Sequence, residues 1–267
     1  MSTMASLAQA GHDRAAAAVT RVREAAEGVF EALREVRDAA VACVLPAGGT
    51  RRPVAADLAA LRPLLWARLR GGALPARMPA HLPAHLPAHL PAHLPALIAG
   101  IGFIAAPGLL ADAPWYLEWW QENPSGDPVR LLRDMDPASS AFYDYTHWDW
   151  YAGPSSGAER TICGPYVDYL CTDEYSLTLS VPVLAGGTFA GVAAADVFVR
   201  RFEAAVLPAL RAIPGPAFLV NDEGRVVASN TASRVTGSVY RGGSHDGEHA
   251  VRRVGDLPLS LVTTAPA

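Results

Sequence analysis

The sequence predicts an α+β chain in which a long helix precedes antiparallel strands, and three features carry that prediction. Val19, Val22, Ala26, Val29, Leu33, Val36 and Ala40 recur in steps of three and four, the period of one helix face. Tyr175–Ala185 and Thr188–Val197 alternate in hydrophobicity around Gly186-Gly187, a pair suited to a tight hairpin turn. After a helix at Arg200–Ile213, the segment Ala217–Ser229 repeats the pattern as strand, Asp-Glu-Gly turn and strand.

Taken in order, the first helix is expected over Asp13–Leu45, with arginines and glutamates on its other faces and Pro46-Ala47-Gly48-Gly49 as its stop. The stripe could pair with a partner helix in a homodimer, or pack on its own domain. A second helix is expected from Val54 to Leu69, bent or shifted by Pro63. Next, Pro-Ala-His-Leu repeats in tandem to Pro95. Proline at every fourth position excludes a regular α-helix, so residues 76–95 read as an extended linker. His81, His85, His89 and His93 lack a fixed scaffold and any carboxylate or thiol partner, so no metal site is expected there.

Strands are expected at Ala96–Ala106 and Pro114–Gln121, the second followed by turn residues 124–128. Trp119 and Trp120 read as core or rim residues. Leu131, Leu132 and Met135 fall in a connection, after which Asp136, Ser139 or Ser140 could cap a short helix carrying Phe142–Tyr151. Arg160–Asp168 alternates, placing Tyr166 and Asp168 on one face. Pro182 suggests a strand edge or a bulge. Two short strands are expected near His249–Val254 and Leu257–Thr263. The resulting division is a helical region 1–75, the linker 76–95, a main domain 96–213 and a small β module 214–267.

The totals narrow the function. With 267 residues and 51% hydrophobic content the chain can bury a sizeable core. A net charge of −4 and the lack of a basic stripe argue against nucleic acid as a partner. All 22 basic residues are Arg, which with abundant Ala, Gly and Pro reads as base composition. Cys43, Cys163 and Cys171 match neither a disulfide framework nor a zinc knuckle. No signal peptide and no run of roughly 18 apolar residues is visible, so a cytoplasmic protein without membrane contact is expected. Ser244-His245-Asp246 cannot converge as a triad, and neither a phosphate-cradling loop nor HExxH occurs; no catalysis and no cofactor are expected.

Function is concentrated between Ala141 and Val197. Phe142-Tyr143-Asp144-Tyr145-Thr146-His147-Trp148-Asp149-Trp150-Tyr151, then Gly164-Pro165-Tyr166-Val167-Asp168, then Gly191–Asp196 gather ring faces and carboxylates. Ring faces attract an organic cation and a desolvated carboxylate fixes it. The same residues could be an aromatic core with solvated acids at its rim. Asp196 ends so apolar a strand that, buried, it requires a partner.

The order of these segments, from the long helix through Gly-Pro-Tyr-x-Asp, the Pro-Val hairpin and Gly-Val-x-x-x-Asp to Phe-Leu-Val-x-Asp-x-Gly-x-Val, resembles the Cache (PDC) family of sensor domains. The likeness runs from Asp13 to Ser229 and is strongest over Phe142–Asp196. It implies a PAS-like α+β domain: a central antiparallel sheet behind a long N-terminal helix, here with a small, truncated second β module. Amino-acid-binding double-Cache domains carry a ligand motif in this region. By that resemblance its Trp and Tyr fall on Trp150 and Tyr151, its Tyr-x-Asp pair on Tyr166 and Asp168, and its last Asp on Asp196, which hold a ligand's ammonium group. Where the motif has an Arg for a carboxylate, this chain has Trp148, a cation-binding face.

The resemblance therefore implies a sensor for a small amine, walled by Trp148, Trp150, Tyr151 and Tyr166 with Asp168 and Asp196 as charge partners, signalling through a dimer or a downstream partner. Two alternatives stay open. One is an amino-acid sensor anchored by Arg160; the other is a structural dimerisation module with a vestigial pocket.

Overall fold

Helix α1 spans Ser2–Val44, eleven residues earlier at its start than the expected Asp13. Ahead of Asp13 the sequence includes Ala5, Ala8 and Ala10, the residue type with the highest helix propensity. The computed structural model describes residues 2–45, 51–69, 97–123, 125–167, 174–242 and 249–264. The Pro-Ala-His-Leu linker with its four histidines, Asp168, Cys171, residues 46–49 and Ser244-His245-Asp246 lie outside these residues. The stripe residues from Val22 to Ala40 are buried within the chain itself.

The expected second helix is two elements: a 3₁₀ segment Ala55–Leu61 and helix α2, Arg62–Leu69. Pro63 sits in the first turn of α2, where its missing N–H has no intrahelical partner to lose. Strand β1 is Ile98–Ala105 and β2 is Leu117–Glu122. Beyond the turn, β3 (Pro128–Arg130) pairs with β2, a short strand absent from the sequence reading.

The segment after β3 departs from expectation. Asp136 accepts the Ala138 N–H at 2.9 Å and Ser139 Oγ accepts the Ala141 N–H at 3.1 Å, so both residues cap turns, not a helix. The short helix α3 begins later, at Asp149–Ser155, with Trp148 as its N-cap. Strands β4 (Thr161–Val167), β5 (Tyr175–Ala185) and β6 (Thr188–Phe198) follow, then helix α4 (Val199–Arg211). Strands β7 (Ala217–Asn221), β8 (Val226–Ser229), β9 (His249–Arg253) and β10 (Leu259–Thr264) complete the chain.

The larger sheet has the order β3-β2-β1-β6-β5-β4 and the smaller β8-β7-β10-β9. Thr161, the first residue of β4, bonds to Ser180, so Pro182 stands where β5 has passed the end of its neighbour and loses no ladder donor.

Two compact units divide the chain, one comprising 28–161 and 178–197, the other 1–27, 162–177 and 198–267. In the first, α2 packs on β1 and β2. In the second, α4 packs on β7 and β8, and Arg21 of α1 donates to the Ala205 carbonyl at 3.1 Å. Among the described residues neither Cys43 nor Cys163 is in a disulfide, no cluster of ligating side chains could hold a metal ion, and no helix is long and apolar enough to cross a membrane.

Candidate functional site

The site begins with the register of three strands in the first unit. Gly100, Gly102 and Ile104 of β1 lie opposite Gln121, Trp119 and Leu117 of β2, and opposite Asp196, Ala194 and Val192 of β6. Directly paired residues project from the same face. One face therefore carries a floor of Gly100, Gly102 and Ala194, with Trp119 on one flank and Asp196 on the other.

Only glycine fits at the two floor positions of β1. A Cβ at Gly100 would stand 2.9 Å from Cζ2 of Trp119 and 3.1 Å from its Nε1, and a Cβ at Gly102 would stand 3.0 Å from its Cε3. The indole thus lies across both glycines. Its Nε1 is buried and has no acceptor among the described residues, a donor left for some other group.

Asp196 is only 7% exposed. Thr178 of β5 donates to its Oδ1 at 2.6 Å, a distance typical of a hydroxyl on a carboxylate. One repeat along the same face of β5, ~7 Å away, Ser180 donates to the Trp150 carbonyl at 2.6 Å. The buried series Ser176, Thr178, Ser180 alternates with buried Leu177, Leu179 and Val181. Both faces of β5 are therefore covered, and the hydroxyl face holds Asp196 and anchors α3.

Helix α3 is led in by Asp144, whose Oδ1 accepts from the Thr146 hydroxyl at 2.6 Å and the Thr146 N–H at 2.9 Å. These bonds hold the Asp144 carboxyl below the usual range. Trp150 and Tyr151 are buried. Tyr151 is packed by protein rings, with Tyr145 at 5.2 Å, Phe189 at 5.8 Å and Trp150 at 6.1 Å between centroids. Burial pushes its phenol up to about 12, so it stays neutral and can donate.

Tyr145 donates to the Ala105 carbonyl at 2.7 Å and packs edge-on against Trp115 at 5.1 Å, and burial raises its phenol as well. Tyr145→Phe should cost about 1 kcal/mol, read as a lower denaturant midpoint, since it leaves a carbonyl without its donor. Much of the aromatic segment is thus packed core. Trp148 is different: it is 39% exposed, with its ring tilted on His147 at 5.2 Å.

Tyr166 belongs to the other unit, at the end of β4, and is half-buried. Gly164 shapes its approach: with φ of 99°, a Cβ there would stand 2.7 Å from the Ser176 carbonyl oxygen and 3.0 Å from Tyr166 Cδ1. Asn221 Nδ2 donates to the Gly164 carbonyl at 2.7 Å. Asp168 lies outside the described residues. The Arg160 guanidinium stands over the Phe30 ring of α1 at 5.1 Å.

Of the six residues the sequence singles out, Trp150 and Asp196 are tied to one sheet face through β5. Sequence reasoning missed Trp119, Thr178 and the two glycines. Gly-x-Gly inside an otherwise apolar strand, and Ser-x-Thr-x-Ser in β5, were the available signals.

No protein-family model and no curated protein matches the chain. Solved structures do. A methyl-accepting chemotaxis protein X is 14% identical, with 100% of each chain covered and a TM-score of 0.61. The ligand-binding domain of the Campylobacter jejuni chemoreceptor Tlp3, in complex with 4-methylisoleucine, is 11% identical over 99% of this chain and 92% of that one, at a TM-score of 0.61. The ligand-binding domain of the Pseudomonas aeruginosa PAO1 amino acid chemoreceptor PctC, in complex with GABA, is 19% identical over 98% and 99%, at a TM-score of 0.54. At such identities the likeness is one of architecture, and this chain has the α+β fold of Cache-type chemoreceptor sensory domains.

Proposed function

We propose that the chain is a sensor module that binds a small molecule through its ammonium group, with Asp196 as the charge partner and Trp119, Trp150 and Tyr151 as ring walls. The observation that carries this reading is a buried carboxylate, held by Thr178, beside a floor of glycine and alanine. A carboxylate beside ring faces attracts an organic cation. The ligands named for Tlp3 and PctC, 4-methylisoleucine and GABA, both carry an ammonium group. Trp148 is proposed with them, and its place where an anchoring Arg would stand favours an amine over an amino acid. Cation–π contacts contribute about 0.5–2 kcal/mol each, consistent with roughly micromolar binding after association costs. Binding would bias a dimer or a complex with a signalling partner.

The test is a thermal-shift titration with polyamines, methylated amines and amino acids. At about 100 times its Kd a ligand adds about 2.7 kcal/mol, a Tm rise of roughly 5–10 °C for a chain of this size. Asp196→Asn keeps an acceptor for Thr178 and removes the charge, so it should fold and lose the response. A response confined to carboxylate-bearing compounds would replace the amine reading with an amino-acid sensor, the reading favoured by the two named ligands. An undiminished response in Asp196→Asn would remove this site from the account.

A further inference from the structure

The opposite face of β2 carries a second polar cluster unrelated to Asp196. Glu118 and Trp120 alternate with Trp119 and so project toward α2. The Glu118 carboxylate is wholly buried and saturated: Oε1 accepts from Arg62 Nε at 2.8 Å and Trp120 Nε1 at 2.7 Å, and Oε2 from the Tyr116 hydroxyl at 2.8 Å and Arg62 Nη2 at 3.4 Å. Arg130, the cross-strand partner of Trp120, adds a second cation 3.7 Å from Oε2 and donates to the Tyr116 hydroxyl at 2.8 Å.

Two guanidinium groups thus share one carboxylate. Glu122, the next acid on this face, is a further ~7 Å along the strand from Trp120. Among the described residues two buried donors at the cluster have no acceptor, Arg130 Nε and Trp66 Nε1, and the Trp66 ring stands edge-on to Trp120 at 5.0 Å. A buried donor without an acceptor is destabilising, and an acceptor supplied from solution relieves it. Arg62 and Arg130 remain 33% and 32% exposed, so a solute can reach them. What fits an excess positive charge, spare N–H donors and aromatic walls is an acceptor-rich anion.

We propose that Arg62, Arg130 and Trp66 form a binding site for a small oxyanion, a carboxylate or a phosphate, on the face of the sheet opposite Asp196. Guanidinium forks match both oxyanions, which is why the two probes are run separately. Phosphate and acetate are titrated at low millimolar concentration against chloride at matched ionic strength, reading Tm. At these concentrations the general stabilisation by excluded salts is small and does not saturate.

The expected result is a saturable rise with at least one oxyanion, the stronger one naming the chemistry. Arg130→Gln should weaken it at least tenfold, and Asp196→Asn should leave it intact. A rise that never saturates, or one unchanged in Arg130→Gln, overturns the site, as does its loss in Asp196→Asn. Should Arg130→Gln not fold, Trp66→Phe removes one donor and no charge: a threefold or greater weakening supports the site, and an unchanged titration overturns it.

Discussion

Glu118→Ala should lower the unfolding temperature by roughly 6–12 °C and flatten its acid limb. The wild-type carboxylate is wholly buried and bonds to Arg62, Trp120 and Tyr116, with Arg130 beside it. Removing it leaves two cations facing each other and takes the acceptor from four hydrogen bonds. Breaking a buried pair costs about 3–5 kcal/mol, and the lower end applies because both arginines keep a third of their surface in water. About 3 kcal/mol gives the stated shift for a chain of this length.

The pH dependence follows from the same contacts. Burial raises the Glu118 pKa, but the bonds from Arg62, Trp120 and Tyr116 outweigh it, and the net shift is below the ordinary value of 4.5. A depressed carboxylate binds its proton less readily in the folded state. Its stabilisation is therefore fully present above pH 4.5 and is lost as pH falls through the lower folded value. Tm measured from pH 7 to pH 3 should fall less steeply in Glu118→Ala than in wild type. Parallel curves would show that the carboxylate does not couple to folding.

Gly102→Ala should destabilise the protein by about 3 kcal/mol, with the sign as diagnostic as the size. An unconstrained strand glycine replaced by alanine gains roughly 0.5–1 kcal/mol. Here the new Cβ would collide with the Glu118 carbonyl oxygen and stand 2.8 Å from Trp119 Cα and 3.0 Å from its Cε3. Two of these are backbone atoms, which cannot swing aside, so β1 and β2 must part or Trp119 must leave its floor. A control is Gly11→Ala in α1, where among the described residues nothing beyond the local helix backbone lies within 4 Å of the new Cβ. That change should stabilise by about 1 kcal/mol. Urea midpoints of the two variants should move in opposite directions, and a shared direction would mean that Trp119 does not lie across Gly102 as described.

The hairpin at Gly186-Gly187, the helix α4 and the β7–β8 turn were legible because each is a local device. A glycine pair permits the tight turn, and a period of 3.6 or 2 needs only its own segment to show itself. Helix α3 was misplaced for an equally local reason. Asp136 and Ser139 are good caps of turns as well as helices, and residue type does not distinguish the two.

The candidate site was half legible. Asp196 stood out as an acid closing an apolar strand and needing a partner, and Thr178 is one. Trp119 and Trp120 are adjacent in sequence and project from opposite faces, one toward the glycine floor and the other onto Glu118. A doublet of identical residues carries no sign of which ring goes where. In the same way, Ser-x-Thr-x-Ser reads as the solvated side of a half-exposed strand until a second layer is found to cover it.

Sequence alone thus determined the inventory and local shape of this protein: a long helix, paired strands, the turns between them, and a carboxylate in an apolar run. Tertiary structure alone decided which faces meet. It laid Trp119 over Gly100 and Gly102, set Thr178 on Asp196, and put two arginines on one glutamate behind the same strand. The physical reason is register. Periodicity sorts side chains into two faces, but which face of one strand lies beside which face of the next depends on pairing between segments up to about a hundred residues apart, as from Gly100 to Asp196.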